Sequence, residues 1–361
     1  MRTITGNGIT ISYPDKVGFV FNPCLIKIEG EKMSAIQFAV TGNNRSVSLL
    51  YDAYQGKCII NMQEYLKTLF FSENIANIDY SSKDAQVSDM AIPCSISIVV
   101  RDSNSTALYS LNFKTLYVWG AMRPTDTFNA LKHLTWFCNY PFSFGLYTNK
   151  AGTIAIKSDD GLTRLIDVSA DAAIRDVTSA NFHKQMGTIH IMDTGSIVEQ
   201  ATFDATFDLT FIAPIATTPN EILTIDIDDS DSGIYLRWVD RHGFYRYWLF
   251  VEGIESRAVS TNGEYIRNDL WNWDDTFGYL GINGRRQGYT REDTIAICAP
   301  HVDSTIFDML QDIATSPIVD MWTGSNWISV SVKPGTYTKT NLTYQDFEAN
   351  IIRNDIPLQS L

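Results

Sequence analysis

The 361-residue sequence contains no apolar run long enough to cross a bilayer. Its longest apolar stretches, such as 98–100 and 248–251, are far shorter, and residues 1–13 lack the apolar core of a secretory signal. We therefore expect a protein that is made and folded in a cytoplasm and does not insert into a membrane.

Cysteine is scarce and scattered. The five cysteines never occur in the C-x-x-C spacing of a zinc site, and their odd number argues against a disulfide framework. The sequence predicts buried, reduced thiols at Cys24, Cys58, Cys94, Cys138 and Cys298.

Recognisable catalytic motifs are also absent. There is no G-x-S-x-G elbow, no G-x-x-x-x-G-K-[ST] phosphate loop and no G-x-G-x-x-G after a strand. A structural role is expected for each histidine, because none lies in H-E-x-x-H or beside a recognised nucleophile. The histidines are His133, His183, His190, His242 and His301. The sequence predicts neither an enzyme nor a cofactor, although a glycosidase remains an alternative because its carboxylates have no fixed spacing.

Positive charge is in deficit. Lys and Arg number 28 against 41 Asp and Glu, for a net charge of −13. A protein that grips phosphates needs a cationic surface, so specific nucleic-acid binding is not expected. The acidic cluster Asp226, Asp228, Asp229 and Asp231 lacks the Gly and the distal Glu of a calcium loop, and we interpret it as a hairpin turn without metal.

What the sequence does contain favours β-structure. Aromatic residues make up 12%, and β-branched residues are plentiful. Segments 35–40 and 47–53 are predicted as paired strands around the turn at 41–44, and 153–157 and 162–168 as a second hairpin. Further strands are predicted at 95–101 and 107–113.

Helices are predicted in three places. Asn61 with Glu64 has the offset of a capping box before the apolar stripe Met62, Leu66, Leu69 and Phe70. A second helix is predicted at 125–137. A third begins at Asp303 or Ser304 and ends before Pro317.

The second half opens with strict alternation, which predicts one half-buried strand over 203–211. Its buried side chains would be Phe203, Phe207, Leu209 and Phe211, with Asp204 and Asp208 facing outward. Strands at 223–227, 234–238 and 244–252 would continue a meander that forms one sheet of a sandwich. Strands at 328–332 and 347–352 end the chain.

Periodicity is lost over 253–292, where glycines recur. An irregular segment of that length tends to be functional. Trp and Arg are enriched at protein interfaces, and this segment supplies the candidate interface residues Trp271, Trp273, Arg285, Arg286 and Arg291. Two alternatives remain for the Trp rings: they pin the segment to its own domain, or they hold a sugar.

The resulting prediction is a mainly β protein of two domains with a few short helices. The first, at 1–175, is a β-domain with two short helices. The second, at 176–361, is a β-sandwich or meander with an irregular arm at 253–292 and a C-terminal helix–strand unit.

Several short sequence segments, taken together, resemble distal-tail or baseplate-type proteins of phages and prophages of anaerobic gut bacteria. They are Phe21-Asn22-Pro23-Cys24, Tyr65-Leu66-Lys67-Thr68-Leu69-Phe70, Val118-Trp119-Gly120-Ala121, the segments 134–142, 233–238 and 240–244, and the close from Ser316-Pro317-Ile318-Val319 through Trp327 to Phe347.

The resemblance implies a virion structural protein of the tail, with a ring-forming β-domain, a peripheral β-sandwich and no catalytic residues. Its partners would be itself, as a homo-oligomeric ring, and other tail proteins. DNA would pass through the ring, whose acidic lumen would repel it. The alternative is a receptor-binding or carbohydrate-binding module that touches a surface glycan through Trp271 and Trp273.

Overall fold

The computed structural model describes residues 1–14, 16–70, 77–121, 133–148, 151–169, 171, 173–184, 187–193, 201–203, 209–211, 223–267, 284–353 and 358. Strands dominate these residues and α-helices are few and short, which confirms the predicted mainly β class. No helix in this part of the chain is long and apolar enough to span a membrane.

The chain forms two compact units. One consists of Met1–Asp231 with Val239–Tyr247, and the other of Ser232–Trp238 with Trp248–Leu361. The division therefore lies near Asp231 and not at the predicted residue 175. Residues 173–178 form a strand that pairs inside the first unit, which explains why the fading periodicity there marks no boundary.

The strands of the first unit are β1 (Arg2–Gly6), β2 (Ile9–Tyr13), β3 (Val17–Phe19), β4 (Leu25–Glu29), β5 (Ala35–Gly42), β6 (Arg45–Asp52), β7 (Lys57–Asn61), β8 (Gln86–Val87), β9 (Ala91–Arg101), β10 (Ala107–Val118), β11 (His133–Phe137), β12 (Ser143–Thr148), β13 (Gly152–Ser158), β14 (Thr163–Val168), β15 (Ala173–Thr178), β16 (Gly187–Asp193), β17 (Ala201–Phe203), β18 (Leu209–Phe211) and β19 (Leu223–Asp228). Its helix is α1 (Gln63–Leu69), with a 3-10 turn at Ser179–Asn181.

Two of its sheets share one apolar core. They have the orders β1-β2-β4-β7 and β18-β17-β3-β10-β9-β5-β6. Ile26 of the first sheet, Phe38 of the second and Leu66 of α1 are fully buried in the same cluster. The β5–β6 hairpin forms as predicted, because Asn43 and Asn44 adopt the positive φ (50° and 58°) that its two-residue turn requires.

The other two sheets have the orders β11-β19-β16-β13-β14 and β12-β15-β8. The helix predicted at 125–137 is wrong at its C-terminal end, because His133–Phe137 is strand β11, parallel to β19. In a short apolar segment the periodicity of a helix is not easily distinguished from that of a strand. Residues 125–132 lie outside the described part.

The single strand predicted over 203–211 is also wrong. Phe203 of β17 lies opposite Leu209 of β18 in an antiparallel pair, so the chain reverses direction between them. The two strands of a hairpin can together show the same alternation of apolar and polar residues as one long strand, which explains the error. The burial predicted for Phe203, Phe207, Leu209 and Phe211, and the exposure of Asp204 and Asp208, lie outside the described side chains.

The second unit contains β20 (Ile234–Val239), β21 (Tyr245–Arg267), β22 (Gly284–Asp303), α2 (Ser304–Gln311), β23 (Val319–Trp322), β24 (Trp327–Val332) and β25 (Tyr344–Arg353), with a 3-10 turn at Asp312–Thr315. Its strands close a barrel in the order β20-β21-β22-β25-β24-β23, where the sequence predicts a sandwich. Alternating strands bury one face in either architecture, so the pattern alone does not separate them. Trp238, Phe250 and Phe347 are buried in its core.

The N-terminus of α1 differs in detail from its prediction, whereas that of α2 agrees with it. The cap residue of α1 is Met62, and Asn61 acts one position earlier, where its Oδ1 accepts the N–H of Gln63 at 3.2 Å. Glu64 pairs with Lys67 at 2.7 Å instead of closing a capping box. Asp303 caps α2 as predicted, since its Oδ1 accepts the N–H groups of two residues in the first turn at 2.7 and 2.8 Å.

All five cysteines are free thiols. Cys24, Cys58 and Cys94 are buried as predicted, whereas Cys138 and Cys298 are only half-buried. Burial raises the pKa of the Cys94 thiol to about 12, which keeps it protonated and inert.

Candidate functional site

The clearest candidate site is a two-stranded ribbon in the second unit. It comprises residues 257–267 of β21 and 284–293 of β22, paired antiparallel from Arg257–Asp293 to Arg267–Gly284. The pairing of β22 with β25 reaches Thr294 and ends there. Within the described residues no third strand pairs with either edge of the ribbon, so main-chain N–H and C=O groups along both edges are available to a partner.

The described part of 253–292 is not irregular as predicted, because residues 253–267 lie in β21 and 284–292 in β22; residues 268–283 lie outside the described part. Its glycines do not interrupt the strands but allow a bulge, where the register shifts between Asn262 and Tyr265. Gly263 has φ +78°, and a Cβ there would lie 2.2 Å from Oε1 of Gln287 on the opposite strand. Glycine inside a strand often marks a bulge, and periodicity is lost at such a position.

The ribbon is unusually exposed for regular structure. Every residue of β21 from 251 to 263 is exposed. Ile254, just before the ribbon, is 82% exposed, Val259 58% and Tyr289 49%. An isolated two-stranded hairpin is marginally stable in water. Apolar side chains on such an element favour a surface that another chain covers.

An ionic cluster anchors the start of the ribbon. Nε of Arg291 donates to Oδ1 of Asp293 at 2.7 Å, and Nε of Arg257 donates to the same oxygen at 3.0 Å. The hydrogen bond from Arg291 is the main reason that the pKa of Asp293 falls to about 2, with Arg257 adding to the effect. The predicted interface residue Arg291 is thus engaged by Asp293 of its own strand, β22, whereas Arg257 of β21 makes the bond across the two strands.

The distal end of the ribbon concentrates positive charge. Arg286 is exposed and lies opposite Tyr265, Arg285 lies opposite Ile266, and Arg267 lies opposite Gly284. These three arginines occupy the last three paired positions of a chain whose net charge is −13. The predicted interface residues Trp271 and Trp273 lie outside the described residues.

The acidic cluster predicted as a turn is held in place by hydrogen bonds with neighbouring residues. Oδ1 of Asp228 accepts the N–H of Ser230 at 2.8 Å, and the Tyr140 hydroxyl donates to the Asp231 carbonyl at 2.8 Å. In the part of the chain that is described, no group of three His, Cys, Asp or Glu side chains is arranged to hold a metal ion.

The histidines are spread over both units. Nδ1 of His183 lies 3.2 Å from Asp160, and Nε2 of His190 lies 3.9 Å from Asp159. His242 is buried in the turn after β20, His133 is exposed on β11, and His301 lies beside α2 with a positive φ of 54°.

A polar cleft of about 370 Å³ in the first unit escaped the sequence analysis. Lys157 lies directly opposite His190 across β13 and β16, and Asp159 accepts both the N–H and the hydroxyl of Thr188 at 2.9 Å. Those hydrogen bonds lower the pKa of Asp159. The cleft is lined by Lys157, Ser158, Asp159, His190 and Met192. These residues are brought together by the register between neighbouring strands, so no local sequence motif indicates the cleft.

Comparison with protein-family models and with curated proteins finds no match for this chain.

Proposed function

We propose that this chain is a structural subunit of a phage tail tip, of the distal-tail or baseplate-ring type. It assembles as a homo-oligomer, docks other tail proteins through the ribbon and performs no catalysis. The observation that carries the assembly role is the exposed, two-stranded ribbon with both edges open. The tail assignment rests on the resemblance of the sequence phrases.

The ribbon suits assembly for a physical reason. Docking onto a neighbour would pair its open main-chain groups and cover Val259 and Tyr289, which stay largely exposed in the single chain. The three distal arginines would meet an acidic surface, which other copies of this chain offer through their net charge of −13.

Removal of the ribbon tests the assembly role. Ser256 and Thr294 face each other across the strands, so an Asn-Gly turn can join them and delete 257–293. The shortened chain should keep the β-sheet circular dichroism of the barrel and sediment as a monomer, whereas the full chain forms concentration-dependent oligomers. A full chain that stays monomeric alone and with co-expressed tail proteins would refute the assembly role.

A point variant makes the test specific. Tyr289→Ala should weaken association, whereas Tyr344→Ala, at a 62% exposed tyrosine outside the ribbon, should not. Trp271→Ala combined with Trp273→Ala should also leave the fold intact and weaken association. Intact assembly with loss of glycan binding would instead support the receptor-binding alternative. A tape-measure gene beside the coding sequence would support the tail assignment, and a neighbourhood of polysaccharide-degrading enzymes would contradict it.

A further inference from the structure

One edge of the ribbon, the outer edge of β22, has a length that two features of the strand define. It is paired with β25 from Asp303 back to Thr294. Between Gly284 and Asp293, in the described part of the chain, β22 pairs with β21 alone. The open edge therefore runs from the described start of β22 to Thr294, and Tyr289 lies midway between these two ends.

The edge of β21, by contrast, is interrupted by two bulges. Residues 263–264 lie opposite Gln287 alone, and residues 253–254 lie opposite Ala296 alone, so the additional residue belongs to β21 in both places. A bulge disrupts the ladder and is a common means of protecting an edge against pairing. Of the two open edges, that of β22 is thus the regular one and the one suited to accept another strand.

The charges along this edge are arranged symmetrically around Tyr289. Arg285 and Arg286 precede Tyr289 by four and three positions, and Asp293 and Glu292 follow it by four and three. If a second β22 lies antiparallel with Tyr289 opposite Tyr289, Arg286 of each copy lies opposite Glu292 of the other. Arg285 then lies opposite Asp293. No other antiparallel register along this edge places both arginines opposite carboxylates, because a shift of one residue already separates Arg286 from Glu292.

The central pair is accessible to a second copy. Arg286 is exposed, and the side chain of Glu292 is 42% exposed. Oε1 of Glu292 accepts a hydrogen bond from Nζ of Lys333 at 2.8 Å, and a carboxylate has room for a second cation on its two oxygens. Alternation places Arg286 and Glu292 on one face and Tyr289 on the other. Opposite charges that face each other across two strands stabilise their pairing, and like charges destabilise it.

We propose, on the basis of the assembly role given above, that the open edge of β22 pairs antiparallel with the same edge of a second copy around a two-fold axis at Tyr289. Such a contact requires a surface that is complementary to itself, which the order of charges supplies. The acidic surface that the distal arginines meet is then Glu292 and Asp293 of the other copy. The two ribbons form one sheet in the order β21-β22-β22-β21, which is more stable than an isolated hairpin. The edge of β21, with Ile254 at its base, is left for a further neighbour.

An exchange of charges tests the register in the full chain. Asp293 already binds two arginines of its own chain, so Arg286 and Glu292 are the pair to alter. Arg286→Glu places carboxylates opposite each other, and Glu292→Arg places cations opposite each other. Each variant alone should raise the dissociation constant about tenfold or more, as measured by sedimentation velocity. An equal mixture of the two variants should associate about as tightly as the unaltered chain, because every contact between unlike copies again joins opposite charges.

A control variant separates this effect from that of net charge. Lys157→Glu alters an exposed lysine of β13 in the first unit and changes the net charge as much as Arg286→Glu does. It should leave the dissociation constant unchanged. Circular dichroism of each variant verifies that the β-sheet content is preserved.

A cross-linking test does not depend on the charge variants. A residue on a two-fold axis lies opposite itself, so under mild oxidation Tyr289→Cys should give a disulfide-linked dimer at protein concentrations that keep the copies paired. Gln287→Cys, at an exposed position on the same face, would lie opposite Arg291 of the other copy and should not cross-link. The unaltered chain gives the background from its half-buried thiols, Cys138 and Cys298.

Recovery in the mixture together with a cross-link at 289 and none at 287 would support the two-fold pairing. The pairing is wrong if the full chain associates through the ribbon but the mixture does not recover, or if position 289 cross-links no better than position 287. In that case deletion of 257–293 would still abolish association, and the proposed assembly role would stand. A full chain that does not associate at all would refute both.

Discussion

Replacement of Ile254 by Ser separates the stability of the subunit from its assembly. Ile254 lies at the base of the ribbon, in the irregular register between Glu252 and Glu255. It is 82% exposed, more than any other large apolar side chain in the described residues. The folded subunit gains almost nothing from it, so the unfolding free energy of Ile254→Ser should change by less than about 0.5 kcal/mol.

The effect on assembly should be much larger. Full burial of an isoleucine stabilises by about 1.5–3 kcal/mol, and 82% of this side chain remains to be buried. A neighbour that covers it completely would gain about 1.2–2.5 kcal/mol, so its loss should raise the dissociation constant about 7- to 60-fold. Sedimentation velocity over a concentration series measures this constant.

Leu50→Ser provides the matched control. Leu50 is 68% exposed on β6, an edge strand of the first unit, and has similar size and chemistry. Its replacement should leave the dissociation constant unchanged if assembly runs through the ribbon. Equal weakening by both substitutions, or a loss of folded structure in Ile254→Ser alone, would show that the reasoning about this exposed side chain is wrong.

Four further outcomes test the structure. Phe347→Ala should destabilise the second unit by about 3–5 kcal/mol in urea unfolding, because the ring is 1% exposed and contacts three other aromatic rings. Gly263→Ala should lower hydrogen-exchange protection in the ribbon, since the new Cβ would meet Gln287 and would require a positive φ. Asp303→Ala should lower the unfolding free energy, measured by thermal denaturation, by about 1 kcal/mol, because it removes the cap of α2. Chelator treatment should leave the melting temperature unchanged; a fall of several degrees that calcium restores would reveal a metal at the acidic turn.

The sequence predicted those parts of the fold that local chemistry determines. The β5–β6 hairpin follows from Asn43 and Asn44, and the start of α2 from Asp303, because turn and cap geometry depend on a few adjacent residues. The apolar stripe of α1 is buried as its spacing indicated. The mainly β class followed from composition in the same way.

The parts it missed depend on distant pairing. Whether 133–137 is helix or strand is decided by β19, whose pairing residues lie about ninety positions later. Whether the strands of the second unit close into a barrel is likewise decided by pairing between strands that are distant in the sequence. The polar cleft brings together Lys157, Asp159 and His190, and no sequence spacing indicates their proximity.

The segment that the sequence marked as a candidate interface remains a prediction, but its described residues are strands and not the irregular structure expected. Strands are recognised in a sequence by the alternation of apolar and polar residues that burial of one face produces. An exposed ribbon buries neither face, so its glycines and polar residues in 253–292 were interpreted as an irregular segment. Arg291 shows the limit of residue type as a signal: it belongs to the segment expected, yet it bonds to Asp293 within its own chain.

The length of β21 has a mechanical consequence. One continuous strand runs from Tyr245, whose hydroxyl donates to Asp89, to Arg267 at the described end of the ribbon. A pull on the ribbon along its axis draws β21 and β22 in the same direction, so it loads in shear the hydrogen bonds between β22 and β25, of which many must yield together. Tension on the far end of β21 also reaches Tyr245 directly, because the covalent backbone of this one strand joins the two positions.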